Sequence, residues 1–330
     1  MLLKKKIRVN KANRKVKRKI IKSYARENHV TFSKAAKSII FISDLHVGSI
    51  CGCCSSNPVI ENKDQHYEPW KFQLEVNKIL KWGVANLWKK RPDVIVIVGE
   101  GIDGSNRHQE GNESWTTNPM DMVRDCVKLI HELFEWEGKL PIIYVARGSK
   151  YHVQVAATDY DDVLAELLGA KSNSPYSDTR LTDDYGYLRI NGVDIQYTHV
   201  VNYTKNPWGK GNPLSKDAFL CDLNEATRAH VYVRGHVHSC DEYRGFFRDN
   251  DYQTIIFTTP CSKFPDSFLK THGIGGIVPD MGFTELIIEG DGQVFVHPLV
   301  AKPNIKIHRE DLDNILRGKK RKAPKRKRKR

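Results

Sequence analysis

Ser38-Ile39-Ile40-Phe41-Ile42-Ser43-Asp44-Leu45-His46 decides how this chain is read. Ile39 to Ile42 are β-branched or aromatic and too few for a helix, which makes them a buried strand. A carboxylate and an imidazole, two residues apart, follow at its C-terminal end. Side chains at i and i+2 of an extended chain point the same way, so both can reach one cation. In open α/β sheets, ligands bind at the carboxyl ends of strands. Taken alone, Asp44 and His46 fit a capping acid and a packed histidine better than a metal site, and their weight comes from what lies downstream.

Working outward, the same unit recurs. Residues 69–90 have the spacing of a helix, with Trp70, Leu74, Val76, Ile79, Leu80, Val84 and Leu87 on one face. Val94 to Val98 is a second buried strand, of the parallel type, running into Gly99-Glu100-Gly101-Ile102-Asp103-Gly104. A polar loop with His108 and Trp115 leads to a helix over 119–136. Ile142 to Val145 forms a third strand, ending in Arg147-Gly148-Ser149-Lys150-Tyr151-His152. Strand, loop and helix in alternation predict an α/β fold.

The second half is less regular. Residues 158–169 read as helix, and 187–198 as a hairpin turning at Asn191-Gly192 and running into His199. A helix over 214–229 precedes the strand Val231-Tyr232-Val233 and then Gly235-His236-Val237-His238. Strands near 252–259, 283–289 and 293–299 suggest an antiparallel closing element. Cys51-Gly52-Cys53-Cys54 fits none of the usual zinc spacings and reads as loose loop thiols.

The chain has 330 residues, 40% hydrophobic and 28% charged, in the range of globular proteins. No apolar run is long enough to span a bilayer, and Met1-Leu2-Leu3 runs straight into Lys4, Lys5 and Lys6 without the apolar core of a secretory signal. Seven cysteines, an odd number, suit a reduced intracellular setting rather than a disulfide framework. The expected location is therefore cytoplasmic, or nuclear if the host has a nucleus, and not secreted. The net charge of +14 sits at the two ends: residues 1–22 and 317–330 each hold eleven Lys/Arg and no acid, which leaves 31 basic against 39 acidic residues in the body, about −8. The expected organisation is a basic segment at 1–37, a catalytic body at 38–300 and a basic tail at 301–330. Such tails bind polyanions, and Lys4, Lys5, Lys6, Lys325, Arg326, Lys327 and Arg328 are the expected nucleic-acid contacts. Residues 15–37 also suggest two short helices.

Five segments thus stand at strand ends: Asp44/His46, Glu100/Asp103, Ser149/His152, His199 and His236/His238. Imidazole and carboxylate are the ligand types of first-row metals. So many of them over-supply one metal and suit two. In this order and spacing the motifs resemble those of the calcineurin-like metallophosphoesterases, D-x-H, G-D-x-x-D, G-N-H-D/E, H and G-H-x-H, over about residues 38–300. The third motif is closer to the G-T-x-x-H form of phage-type members.

The resemblance implies a four-layer αββα sandwich of two mixed β-sheets flanked by helices. It implies two divalent cations, manganese first, with iron, zinc, nickel or magnesium as alternatives. One would be held by Asp44, His46, Glu100 and His238, the other by Glu100, His199 and His236 with Ser149. Glu100 stands where the family has a bridging Asp, and Ser149 where it has Asn. Asp103 would orient a ligand, and His152 would take the catalytic histidine's place and protonate the leaving oxygen. The implied activity is phosphate-ester hydrolysis, and the tails direct it to nucleic acid, as a phosphodiesterase or nuclease. A nucleic-acid-binding protein on a disabled centre is the alternative. A phosphoprotein or nucleotide phosphatase is the third, although phosphoprotein phosphatases of the family carry Arg where this chain has Gly104.

Overall fold

The computed structural model describes residues 32–60, 65–104, 113–155, 157–172, 181–200, 211–223, 228–245, 254–265 and 279–303. The basic residues Lys4, Lys5, Lys6, Lys325, Arg326, Lys327 and Arg328, His108, and most of the helix pair at 15–37 lie outside them.

Six strands form the first sheet: β1 (Lys37–Ile42), β2 (Val94–Val98), β3 (Ile142–Ala146), β4 (Thr182–Asp183), β10 (Met281–Ile288) and β11 (Val294–Ala301). Their order is β11-β10-β1-β2-β3-β4. Here β1, β2, β3 and β4 run parallel, while β10 is antiparallel to both β1 and β11. The second sheet holds β5 (Gly186–Ile190), β6 (Val193–Thr198), β7 (Val231–Arg234), β8 (Glu242–Gly245) and β9 (Thr254–Thr258), in the order β8-β9-β7-β6-β5. Both sheets are mixed.

Alternation along the strands builds the layers. Ile39 and Phe41 join Val94, Val96 and Val98 between the sheets, against Ile195, Tyr197, Val231, Val233 and Phe257. Ile40, Ile42, Ile95 and Ile97 face the other way, onto α1 (Lys71–Val84), α2 (Pro119–Phe134) and α3 (Tyr160–Leu167). Tyr232 and Ile256, on the outer face of the second sheet, meet Leu214 and Ala218 of α4 (Gly211–Leu223). Helices, sheet, sheet and helix make the four-layer sandwich. Among the described residues, no helix is long and apolar enough to cross a membrane.

Local chemistry sets the helix ends. Asn118 accepts from the Met120 amide and Pro119 opens α2. Gln73 reaches back to the Trp70 amide at 2.9 Å to open α1. That helix stops at Val84 rather than at 90, because the Asn86 side chain bonds back to the Trp82 carbonyl and the Asn86 amide to Gly83. Leu74, placed on the buried face by periodicity, is 48% exposed, and Phe72 takes the core position. The hairpin turn is as expected, with Asn191 and Gly192 both at positive φ, 49° and 79°.

Two expectations need correction. The stretch near 252–259 does not join an antiparallel closing element. As β9 it pairs parallel with β7 in the second sheet, and only β10 and β11 close the first sheet antiparallel. The cysteine cluster is not loose either, since Cys51, Cys53 and Cys54 are fully buried. The Cys53 amide donates to Leu45, Phe264 to Cys51, and the Asn77 side chain to Cys54, folding the loop beneath α1.

Candidate metal centre

The strand ends of both sheets meet at one place. Strand β1 stops at Ile42, so Asp44 and His46 do not project from extended chain. Both take left-handed backbone, φ 53° and 45°, and so do Glu100 at 54°, His236 at 70° and His238 at 52°. Positive φ is uncommon outside glycine and gathers at functional sites. Five of the seven non-glycine residues with positive φ among the described residues are therefore expected site residues. The loops interlock through Asp44 N to Gly99 O (3.3 Å) and His46 N to Glu100 O (3.1 Å). Glycine is required where they touch: a Cβ on Gly99 would lie 2.7 Å from the His199 ring, and one on Gly235 2.8 Å from His199 Nδ1.

Two groups of side chains share Glu100. Asp44, His46, Glu100 and His238 each offer an atom within 4.8 Å of the others, as do Glu100, His199 and His236. Glu100 Oε2 lies 3.0 Å from His46 Nε2, and Oε1 lies 3.1 Å from His199 Nε2 and 4.0 Å from His236 Nδ1. Asp44 Oδ1 is 3.1 Å from His238 Nε2. Ser149 donates its hydroxyl to Glu100 Oε1. All seven residues expected to bind metal are thus brought to one place.

The partners behind these atoms fix their state. His199 Nδ1 faces the Val98 carbonyl at 2.8 Å, and His46 Nδ1 faces Asp103 Oδ1 at 2.9 Å. A neutral ring that donates through Nδ1 presents a bare lone pair at Nε2. Asp44 Oδ2 accepts from the His236 amide and the Ser43 hydroxyl, which leaves Oδ1 turned to the centre. Asp44 Oδ1, His46 Nε2 and His199 Nε2 are buried and have no hydrogen-bond partner. The close pairs at 3.0–3.1 Å are therefore not aligned as hydrogen bonds. Two ligands about 2.0–2.1 Å from one cation stand about 2.9–3.4 Å apart, so the donor set and its orphaned atoms fit divalent cations.

Electrostatics follow this arrangement. Burial opposes ionisation of Glu100, but His199, His152 and His46 outweigh it and hold the carboxyl well below the usual range. Burial likewise opposes ionisation of Asp44, which His238 and His199 keep lowered. His199 would be pushed down by burial, yet Glu100 and Asp44 carry it up to about 9. His236, half-exposed, is lowered, mainly by desolvation.

Asp103 and His152 stand beside the first group. His152 Nδ1 hydrogen-bonds the Asp103 main-chain carbonyl at 3.2 Å and lies 3.2 Å from Asp103 Oδ1, and its ring meets the His46 ring edge-on at 4.6 Å. Burial lowers His152, but Glu100 and Asp103 together raise it. Sequence reasoning missed Lys263, whose ammonium is 3.1 Å from Asp103 Oδ1. Nothing in Cys261-Ser262-Lys263 marks it, because its partner lies 160 residues away.

No protein-family model matches this chain, and no curated protein matches it. Among solved structures it is similar to an archaeal phosphodiesterase, at 10% identity over 80% of this chain and 99% of that one, TM-score 0.36. It is also similar to Vps29 of Chaetomium thermophilum, at 11% identity over 80% and 95% of the two chains, TM-score 0.32. The NAD nucleotidase NadN of Haemophilus influenzae gives 12% identity over 79% and 49%, TM-score 0.35. Overlap at this level assigns neither family nor activity.

Proposed function

We propose that this chain is a metal-dependent phosphoesterase of the calcineurin-like kind, cleaving phosphodiesters of nucleic acid at a centre of two divalent cations. The observation that carries the reading is the set of imidazole–carboxylate pairs at 3.0–3.1 Å that lack hydrogen-bond alignment. An imidazole nitrogen and a carboxylate oxygen this close need a proton or a metal cation between them, and a cluster of such pairs around one carboxylate can exchange those protons for metal. Asp44, His46, Glu100 and His238 would hold one cation. Glu100, His199 and His236, with the Ser149 hydroxyl, would hold the other. Bound there, the cations supply Lewis acidity toward phosphate oxygens and a water acidic enough to ionise near neutral pH.

The remaining steps belong to the side chains. Glu100 shares one charge between both groups. Asp103 fixes the His46 ring, as carboxylates behind ligating histidines do. His152, anchored through Nδ1 on Asp103, keeps Nε2 for protonating the leaving oxygen. Manganese heads the expected metals on the family resemblance, and ligands of nitrogen and oxygen without thiolate are compatible with it as with iron, zinc or nickel. The preference for nucleic acid rests on the two tails of eleven Lys/Arg each, whose charges can neutralise phosphates.

Hydrolysis of bis(p-nitrophenyl) phosphate, single-stranded DNA and duplex DNA, with Mn²⁺ and with chelator, tests the activity. Two metal equivalents per chain and chelator-sensitive turnover are expected. A metal-free, inactive protein would instead support a binding protein on a disabled centre. Deleting 1–22 and 317–330 should leave the small diester's turnover unchanged and flatten the salt dependence of duplex binding, whose log–log slope is about −0.9 per phosphate contact. An unchanged slope would remove the tails from nucleic-acid binding.

A further inference from the structure

A third cluster adjoins the two that share Glu100. His46, Asp103 and His152 also offer ligand atoms within 4.8 Å of one another. Here the chain supplies the cation itself. Lys263 Nζ sits 3.1 Å from Asp103 Oδ1, and the two side chains are 2% and 0% exposed. The same oxygen is 2.9 Å from His46 Nδ1 and 3.2 Å from His152 Nδ1, whose hydrogen bond goes to the Asp103 main-chain carbonyl at 3.2 Å. Lysine is almost never buried unless paired, so this position is specified rather than tolerated.

The two partners come from opposite sheets. Asp103 follows β2, and Lys263 lies in the loop after β9. That loop is tied to the centre: the Ser262 amide donates to the Asp44 carbonyl (3.2 Å) and the Phe264 amide to Cys51 (2.8 Å). The Cys53 thiol donates to the Ser262 carbonyl at 3.3 Å. An Asp carboxyl turns broadly about its last torsion. A third partner fixed on another element restrains it, so one oxygen can serve two imidazoles.

We propose that Lys263 is a positioning residue: its ammonium holds Asp103 in the orientation that aims His152 at the leaving oxygen. This rests on the phosphoesterase reading above. Lys263 pairs with Asp103, and its charge also bears on His152. Its effect is felt where a proton must reach the leaving group.

The test uses the full chain loaded with Mn²⁺ and two diesters, one losing p-nitrophenolate and one, a dinucleotide, losing an alkoxide. Wild-type protein inactive on both refutes the phosphoesterase reading, and this role with it, before any variant is made. With an active wild type, Lys263→Met should lower kcat on the dinucleotide about 10–100-fold. On the aryl diester, whose leaving group departs unprotonated, kcat should stay within about threefold. KM on both should also change by less than about threefold. In a His152→Ala background, adding Lys263→Met should cost nothing more on the dinucleotide, since coupled residues are not additive. Equal losses on both diesters, or an undiminished loss in the His152→Ala background, would each overturn the assignment. If Lys263→Met does not fold, Lys263→Gln carries the same expectations.

Discussion

Strand ends of the first sheet deliver Asp44, His46, Glu100 and Asp103, all at most 2% exposed, whereas those of the second deliver His199, His236 and His238. Of these, His236 is 48% and His238 20% exposed, while His199 is buried. Every carboxylate of the centre thus comes from one sheet, and the other contributes imidazoles and, through Lys263, an ammonium. Buried anions need cations close by, and the facing imidazoles supply only part of that charge. Cations shared by the two sides would couple the sheets as well as the chemistry. In the proposed reaction the negative, enclosed side would set metal affinity, and the open side would admit a substrate.

Glu100→Gln attacks the comparison at its centre, because it removes the charge offered to both groups. A loss of roughly 4 kcal/mol of charge stabilisation corresponds to about a thousandfold in kcat/KM. Metal content should fall at both positions. Activity within tenfold of wild type, with two metals retained, would end the bridging role.

Glu100→Asp is the finer cut. Each Glu100 oxygen already stands 3.0–3.1 Å from an imidazole of a different group. The backbone therefore suits the longer acid, and removing a methylene draws both oxygens back. Misplacement by about an ångström costs on the order of a hundredfold, so kcat/KM should fall by that amount. Equal or higher turnover would show a backbone built for Asp.

His199→Ala and His236→Ala separate the enclosed histidine from the open one. Both should lose hydrolysis. Thermal unfolding of the metal-free proteins should distinguish them. His199→Ala gives up a buried ring and its bond to Val98, about 3 kcal/mol, and His236→Ala should be nearly neutral. Equal destabilisation would contradict the difference in burial.

The smallest effect compares the buried acids that have cationic partners with one that does not. Asp161, behind the centre, accepts the Gly148 amide at 2.8 Å, and its Oδ1 has no partner. Burial first, then the charge of Asp159, push it up to about 7. Its folded pKa is raised, so its contribution to stability is present below about 3.8 and is lost as pH rises through about 7. Asp161→Asn should then match wild type near pH 4 and gain on the order of 2 kcal/mol at pH 8, once the cost of burying the amide is set against the roughly 4 kcal/mol of the shift. Urea titrations at both pH values measure this, and a pH-independent difference would disprove it.

The sequence alone determined the elements and the order of the site. Ile39–Ile42 and Val94–Val98 are strands because β-branched runs of that length have no other stable state. Asn191-Gly192 is a hairpin turn because those residues tolerate positive φ. The spacing of Asp44/His46, Glu100/Asp103, Ser149/His152, His199 and His236/His238 was legible because a polar segment after a buried strand falls at a sheet edge. These signals are local and held in a few contiguous residues. Tertiary structure decided the rest. It placed β9 beside β7 rather than with β10, since an apolar strand pairs equally well in either sheet and only the non-local partner chooses. It buried Cys51, Cys53 and Cys54, and it brought Lys263 onto Asp103 across 160 residues. It also turned Asp44 and His46 inward from left-handed backbone rather than an extended strand. Periodicity records which face a residue takes, and not which distant residue waits there.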